Sequence, residues 1–120
     1  MDICITIPKT IPWEEYQKEL DTVKDGKMEM NYRVSFRPDV KPYEKCYLCH
    51  DGKIKGWMYV TRVAHRKGFT CTVTGKQWPE SWYVARSGPF HELENKPALN
   101  GFRGVRYVNS EFRSKYNLYE

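Results

Sequence analysis

The densest chemistry in the chain is Cys46-Tyr47-Leu48-Cys49-His50. Read as C-x-x-C-H, the segment is the attachment signature of c-type haem; read as C-x-x-C, it suggests zinc or a redox pair. Each chemistry makes a geometric demand. Zinc needs both sulfurs turned toward one ion and, in the usual case, a second ligand pair, whereas downstream there are only Cys71, His65 and His91. A redox pair opens a helix whose N-terminus lowers the thiol pKa. Here the motif is surrounded by β-formers and followed at once by Asp51-Gly52, a hairpin signal. In a strand, side chains alternate between faces, so Cys46, Leu48 and His50 share one face while Tyr47 and Cys49 share the other. The two sulfurs then diverge, and the expectation is two thiols in a strand, with no metal and no cofactor.

Other residue types point to an anionic partner. Arg33 and Arg37 fall on the polar face of an alternating run, where a guanidinium fork can grip phosphate or a base edge, or else pair with Glu29. Trp57 and Trp78 are candidates for stacking a base, with core packing as the competing use of each. Trp78 is the stronger, since it lies in TGKQWPE beside Lys76, a turn-rich stretch that gives a large aromatic little reason to be buried. Arg86-Ser87-Gly88 ends a strand at a turn, where amides, a hydroxyl and a guanidinium can converge on an anion. Arg106, near Arg103, adds positive charge suited to backbone contacts. No nucleophile set can be assembled from the three His and four Cys by spacing.

The whole chain agrees with that polarity. Its net charge of +5 is uneven: residues 1–52 carry eight basic and ten acidic side chains, residues 53–120 carry twelve and five. Between Lys53 and Lys76 there are six basic residues and no acidic one. Such asymmetry favours a polyanion, because phosphate neutralisation supplies most sequence-independent nucleic-acid affinity. At 120 residues and 15% aromatic, the chain is expected to form one globular domain spanning 1–120. The opening MDICITIPKTIPWEEY has no basic region followed by a long apolar run, so no membrane and a cytoplasmic location are expected, with the cysteines as free thiols.

The elements that must position these residues can be read from periodicity. Ile3, Ile5 and Ile7 mark a first strand stopped by Pro8; Thr10 is placed to cap a helix whose stripe is Trp13, Tyr16, Leu20 and Val23, closed by Asp25-Gly26. Residues 28–36 alternate strictly and predict a strand; 45–50 and 54–63 predict a hairpin about Asp51-Gly52. Further strands are predicted over Phe69–Thr74, Ser81–Arg86 and Gly104–Val108, then a short helix from Ser110. The fold class expected is α+β, a small, mostly antiparallel β-barrel with one N-terminal helix and a short C-terminal helix.

The run VKPYEKCYLCHDGKIKGWMYV (Val40–Val60) resembles the central hairpin of the PUA-like superfamily, particularly its ASCH and EVE branches. GKMEMNYR (Gly26–Arg33) is similar to the ASCH pattern G-x-K-x-x-E-x-R, with Gly26 and Arg33 in register but Met28 and Asn31 in place of Lys and Glu. The resemblance implies a pseudo-barrel whose cleft binds nucleic acid or a modified nucleobase. Some ASCH members resemble amidohydrolases of acylated cytidine, and Met28 and Asn31 remove the groups that would activate a water there. The expected function is therefore non-catalytic binding of RNA, ranked ahead of DNA, or of a modified base, through Arg33, Arg37, Trp57, Lys76, Trp78, Arg86, Ser87 and Arg106. The alternatives are an ASCH-type hydrolase acting on a modified nucleoside and a small protein-interaction or inhibitor module.

Overall fold

The computed structural model describes residues 1–71 and 73–119. In chain order the elements are β1 (Ile3–Ile7), α1 (Trp13–Val23), β2 (Met30–Val34), β3 (Lys45–His50), β4 (Lys53–Arg66), β5 (Phe69–Thr70), β6 (Gln77–Trp78), β7 (Ser81–Glu92), β8 (Val105–Tyr107) and α2 (Ser110–Tyr116). Six strands form one curled, mixed sheet in the order β2-β7-β4-β3-β1-β8, a half-barrel, while β5 and β6 make a separate two-stranded ribbon. All pairings are antiparallel except β1 with β3, which run parallel from Ile3 opposite Cys46 to Ile7 opposite His50. The two helices and the antiparallel majority match the expected α+β class; β2 and β8 are left as edges, so among the described residues the sheet is curled without closing into a barrel.

Both faces of the sheet are covered, and that explains the unbroken apolar character of β3. Cys46 and Leu48 pack with Ile3, Ile5, Ile7, Met58, Val60 and Val84 on the face where α1 lays Tyr16, Leu20 and Val23. Tyr47 and Cys49 pack on the opposite face with Ile54, Trp57, Leu93, Val108 and Leu118, joined by Phe112 and Tyr116 of α2. A central strand covered on both sides needs apolar residues at every position rather than at every second one. Asp51 and Gly52 both have positive φ, 49° and 76°, the geometry of a tight two-residue hairpin turn.

Several boundaries differ from the sequence reading for identifiable reasons. Thr10 does not cap α1: Pro12 does, with no side-chain hydrogen bond, because a turn bonding Ile11 N–H to the Pro8 carbonyl occupies that stretch. The helix ends at Val23, and Gly26 follows at φ 80° with its N–H on the Val23 carbonyl. The strand expected over 28–36 is paired only from Met30 to Val34, and Phe36 is exposed. Conversely β4 and β7 are longer than expected. Register shifts between Trp57 and Tyr59 and between Val60 and Arg62 reset their alternation, and bulges of that kind break the period by which a strand is read. Gly56 sits where β4 meets the end of β7: a Cβ there would come within 2.3 Å of the His91 carbonyl. Of the strand expected over Phe69–Thr74, Phe69 and Thr70 are paired, and Thr72 lies outside the described residues.

Candidate functional site

Beneath α1 the sheet is not fully covered. A cavity of about 340 Å³ lies between the helix, β2, β7 and the turn joining β5 to β6. Arg86, Tyr16, Met30 and Cys71 are buried and form its depth; Tyr32, Glu19, Val73 and Trp78 are half-buried; Arg33, Thr74 and Lys76 are exposed at its rim. Four of the eight residues singled out in the sequence, Arg33, Lys76, Trp78 and Arg86, therefore meet at one cavity although they come from three separate elements and a turn.

Arg86 is the unusual member. It leaves β7 on the α1 face, paired opposite Met30 of β2 and Val60 of β4, and only 1% of it is exposed. Nη1 donates to the Tyr16 hydroxyl at 3.0 Å and lies 3.9 Å from Met58 Sδ, while Nε has no partner. Among the described residues no carboxylate lies within ion-pair distance of it. Burial works against its charge, yet its pKa lies above the ordinary value, because Tyr16, Cys46 and Tyr32 favour the cation as they ionise at high pH. Burial in turn pushes up Tyr16 and Tyr32, and raises Cys46 to about 11, so at neutral pH these neighbours are uncharged. The guanidinium is thus a permanent cation in a low-dielectric site without a counter-charge, an arrangement that is costly unless something anionic offsets it.

The rest of the cavity has the same sign. Arg33 and Lys76 add two cations against the single carboxylate of Glu19. Trp78 is held in an aromatic column, stacked on Phe69 at 6.2 Å and edge-on to Tyr83 at 5.7 Å, and its buried Nε1–H has no acceptor. Cys71 opposes burial with hydrogen bonds from Thr74 and Val73, which hold its thiol below the ordinary value, unlike the three other cysteines. Tyr16 and Cys71 were not among the expected site residues. Tyr16 reads as one more apolar position of the α1 stripe, and only the crossing of α1 over β7 shows its hydroxyl to be Arg86's partner.

The other four expected residues lie elsewhere. Ser87 is buried, and its hydroxyl lies 2.6 Å from the Met28 carbonyl and 3.3 Å from that of Val23, so it ties the end of α1 to the sheet instead of facing an anion. Trp57 belongs to the opposite face, 8% exposed, stacked on His91 at 4.0 Å with the Lys45 ammonium 4.3 Å from its ring centroid. Alternation along β4 turns it away from the cavity. Arg37 lies beyond β2, exposed, 5.8 Å from the Trp82 ring. Arg106 is on β8 with its guanidinium 5.1 Å from Phe102, beside a shallow groove against α2.

The two sulfurs of the Cys46-to-His50 segment do not converge. They are buried on opposite faces of β3, Cys49 Sγ lying 3.3 Å from the Leu99 carbonyl, and among the described residues no three His, Cys, Asp or Glu side chains cluster as ligands. His50 Nε2 lies 2.8 Å from the Ile11 carbonyl, which pins the loop before α1. Among the described residues no helix is long and apolar enough to cross a membrane. The chain matches no protein-family model, no curated protein and no solved structure.

Proposed function

We propose that the cavity under α1 binds nucleic acid, RNA in preference to DNA, or a modified nucleobase, and does so without catalysis. The observation that carries this reading is the convergence of Arg33, Lys76, Arg86 and Trp78 on one cavity with three cations to one carboxylate. Its volume is at the small end of the ~300–1,000 Å³ usual for ligand pockets, which suits a single nucleotide unit. Kinship with the PUA-like superfamily is part of the same proposal, supported by the half-barrel and by Asn31 and Arg33 of the ASCH-like stretch lining the cavity.

Short single-stranded RNA, single-stranded DNA and duplexes should be titrated by fluorescence anisotropy over a range of salt. Binding that weakens as salt rises, and that is lost on Lys76→Ala together with Trp78→Ala, is the expected result. Absence of binding to any of them at low salt, with and without modified bases, would sink the reading.

One observation favours a second reading. Glu19 and Lys76 place a carboxylate and an amine in the cavity, the groups that hydrolysis of an acylated nucleoside requires. Release of acid from N-acylated cytidine by the pure protein, abolished in Glu19→Gln, would establish the hydrolase over the binder.

A further inference from the structure

Two side chains that line the cavity each carry a buried N–H without a partner in the chain: Arg86 Nε–H and Trp78 Nε1–H. Neither can accept a hydrogen bond, so the group that completes them must be an acceptor. Arg86 also lacks a counter-charge, and it lies at the deep end, 1% exposed beside Tyr16 at 4%, while the other cations, Arg33 and Lys76, stand exposed at the rim. The demand for negative charge is therefore greatest at the floor. A nucleobase inserted first would bring a neutral edge to Arg86 and leave the cation uncompensated. A phosphate monoester brings a charge of about −1.5 to −2 and three acceptor oxygens, which a guanidinium grips through two parallel N–H groups.

We propose that the ligand enters phosphate first: the cavity is a receptor for the terminal 5′-phosphate monoester of a nucleotide, with Arg86 at the phosphate and the sugar and base held near Trp78, Arg33 and Lys76 at the mouth. This rests on the nucleic-acid reading above and narrows it. An internal phosphodiester has chain on both sides and cannot reach the floor of a cavity that takes one nucleotide; a free nucleotide or a phosphorylated strand end can. Glu19, the one carboxylate lining the cavity, is half-buried in α1 and makes no ion pair with Arg86. It leaves the charge at the floor unmet.

The test uses the full chain and compares inorganic phosphate, a nucleoside, its 5′- and 3′-monophosphates, and one short oligonucleotide with and without a 5′-phosphate, by thermal shift and competition. Inorganic phosphate should raise the melting temperature. The 5′-monophosphate should bind at least about tenfold more tightly than the nucleoside, as expected for a charge-assisted bidentate contact. The 5′-phosphorylated oligonucleotide should exceed its unphosphorylated twin by a similar factor. Arg86→Met should erase all three preferences while melting no lower than the native chain, since it removes an uncompensated buried charge. If that variant does not fold, Arg86→Lys keeps the charge, loses the fork and should still reduce the preference. Equal affinity for phosphorylated and unphosphorylated ligands would overturn the inference while leaving the nucleic-acid reading intact if both bind. A preference for the 3′-phosphate would reverse the orientation and so refute the assignment; binding to none of the ligands would sink both.

Discussion

Arg86 and Arg113 lie on opposite faces of one sheet, and they are treated differently. Arg113, on α2, pairs with Asp2, which also accepts the Lys45 backbone N–H at 2.7 Å. Arg86 sits under α1 with a phenol, a thioether and no acid. Around Arg113 the core is filled, with Tyr47, Ile54, Trp57, Val108 and Leu118 packed under the C-terminal helix and a shallow groove along the helix flank. Around Arg86 the face stays open to a cavity. The fold supplies a carboxylate to one arginine, where it ties α2 to the start of the chain, and leaves the other buried without a counter-charge.

Experiments can break that contrast or sharpen it. The largest effect should come from Trp57→Ala on the filled face, which removes a buried indole and its stack on His91 and should cost about 3–5 kcal/mol in urea denaturation. A change below about 1 kcal/mol would show that Trp57 is not core and return it to the list of stacking candidates. Next comes the alkaline behaviour of Cys46, beside Arg86. Its folded pKa of about 11 lies above the ordinary thiol value of 9.0, chiefly through burial, with Arg86 acting in the opposite sense. The folded state therefore holds the thiol proton longer than the unfolded chain does. That contribution is fully present below pH 9 and is lost as the pH rises through 11, in all about 2–3 kcal/mol at ~1.4 kcal/mol per unit. The stability difference between the native chain and Cys46→Ala should shrink over that window; a constant difference would show that the thiol is not buried in the way described.

Asp2→Asn should come third. It keeps the shape and removes the charge that answers Arg113, and a loss of about 2 kcal/mol is expected for a partly buried pair, measured by thermal unfolding. If this change and Arg86→Met both proved neutral, the contrast between the two arginines would have no energetic content. Smallest is Glu44, whose carboxyl is held below the ordinary range mainly by its hydrogen bond with the N-terminal amine. Its stabilisation is present above the unfolded carboxyl pKa and is lost as the pH falls through the folded one. For so solvated a pair it should stay below about 1 kcal/mol in the comparison with Glu44→Gln.

The two faces also differ in how far they can be read from the chain. The separation of Cys46 from Cys49 follows from alternation in a strand, and the hairpin follows from Asp51-Gly52; both are local and both are found. Lys76 and Trp78 stand out because a basic, turn-rich stretch has no apolar period of its own. Arg86 is legible as a candidate anion ligand but not as a buried one. Its sequence context is a strand exit, whereas β7 runs on to Glu92 and α1 crosses above it. Trp57 misleads for the opposite reason: a tryptophan near lysines looks like a binding residue until β4, with its register shifts, assigns it a face. The parallel partnership of β1 and β3 has no local signal at all, because 37 residues, with α1 and β2 among them, intervene between Ile3–Ile7 and Lys45–His50.

That partnership has a consequence for how the protein is made. β1 carries Ile3, Cys4 and Ile5, all fully buried in the finished sheet, between Cys46–His50 on one side and Val105–Tyr107 on the other. During synthesis this apolar strand emerges before both of its partners: its inner neighbour β3 follows it, and its outer neighbour β8 comes later still. Non-local pairings of this kind are slow, because chain entropy must be lost before contacts repay it. Until residues 105–107 have emerged, the outer edge of β1 lacks its partner, and that is the interval in which a chaperone would have the most to do.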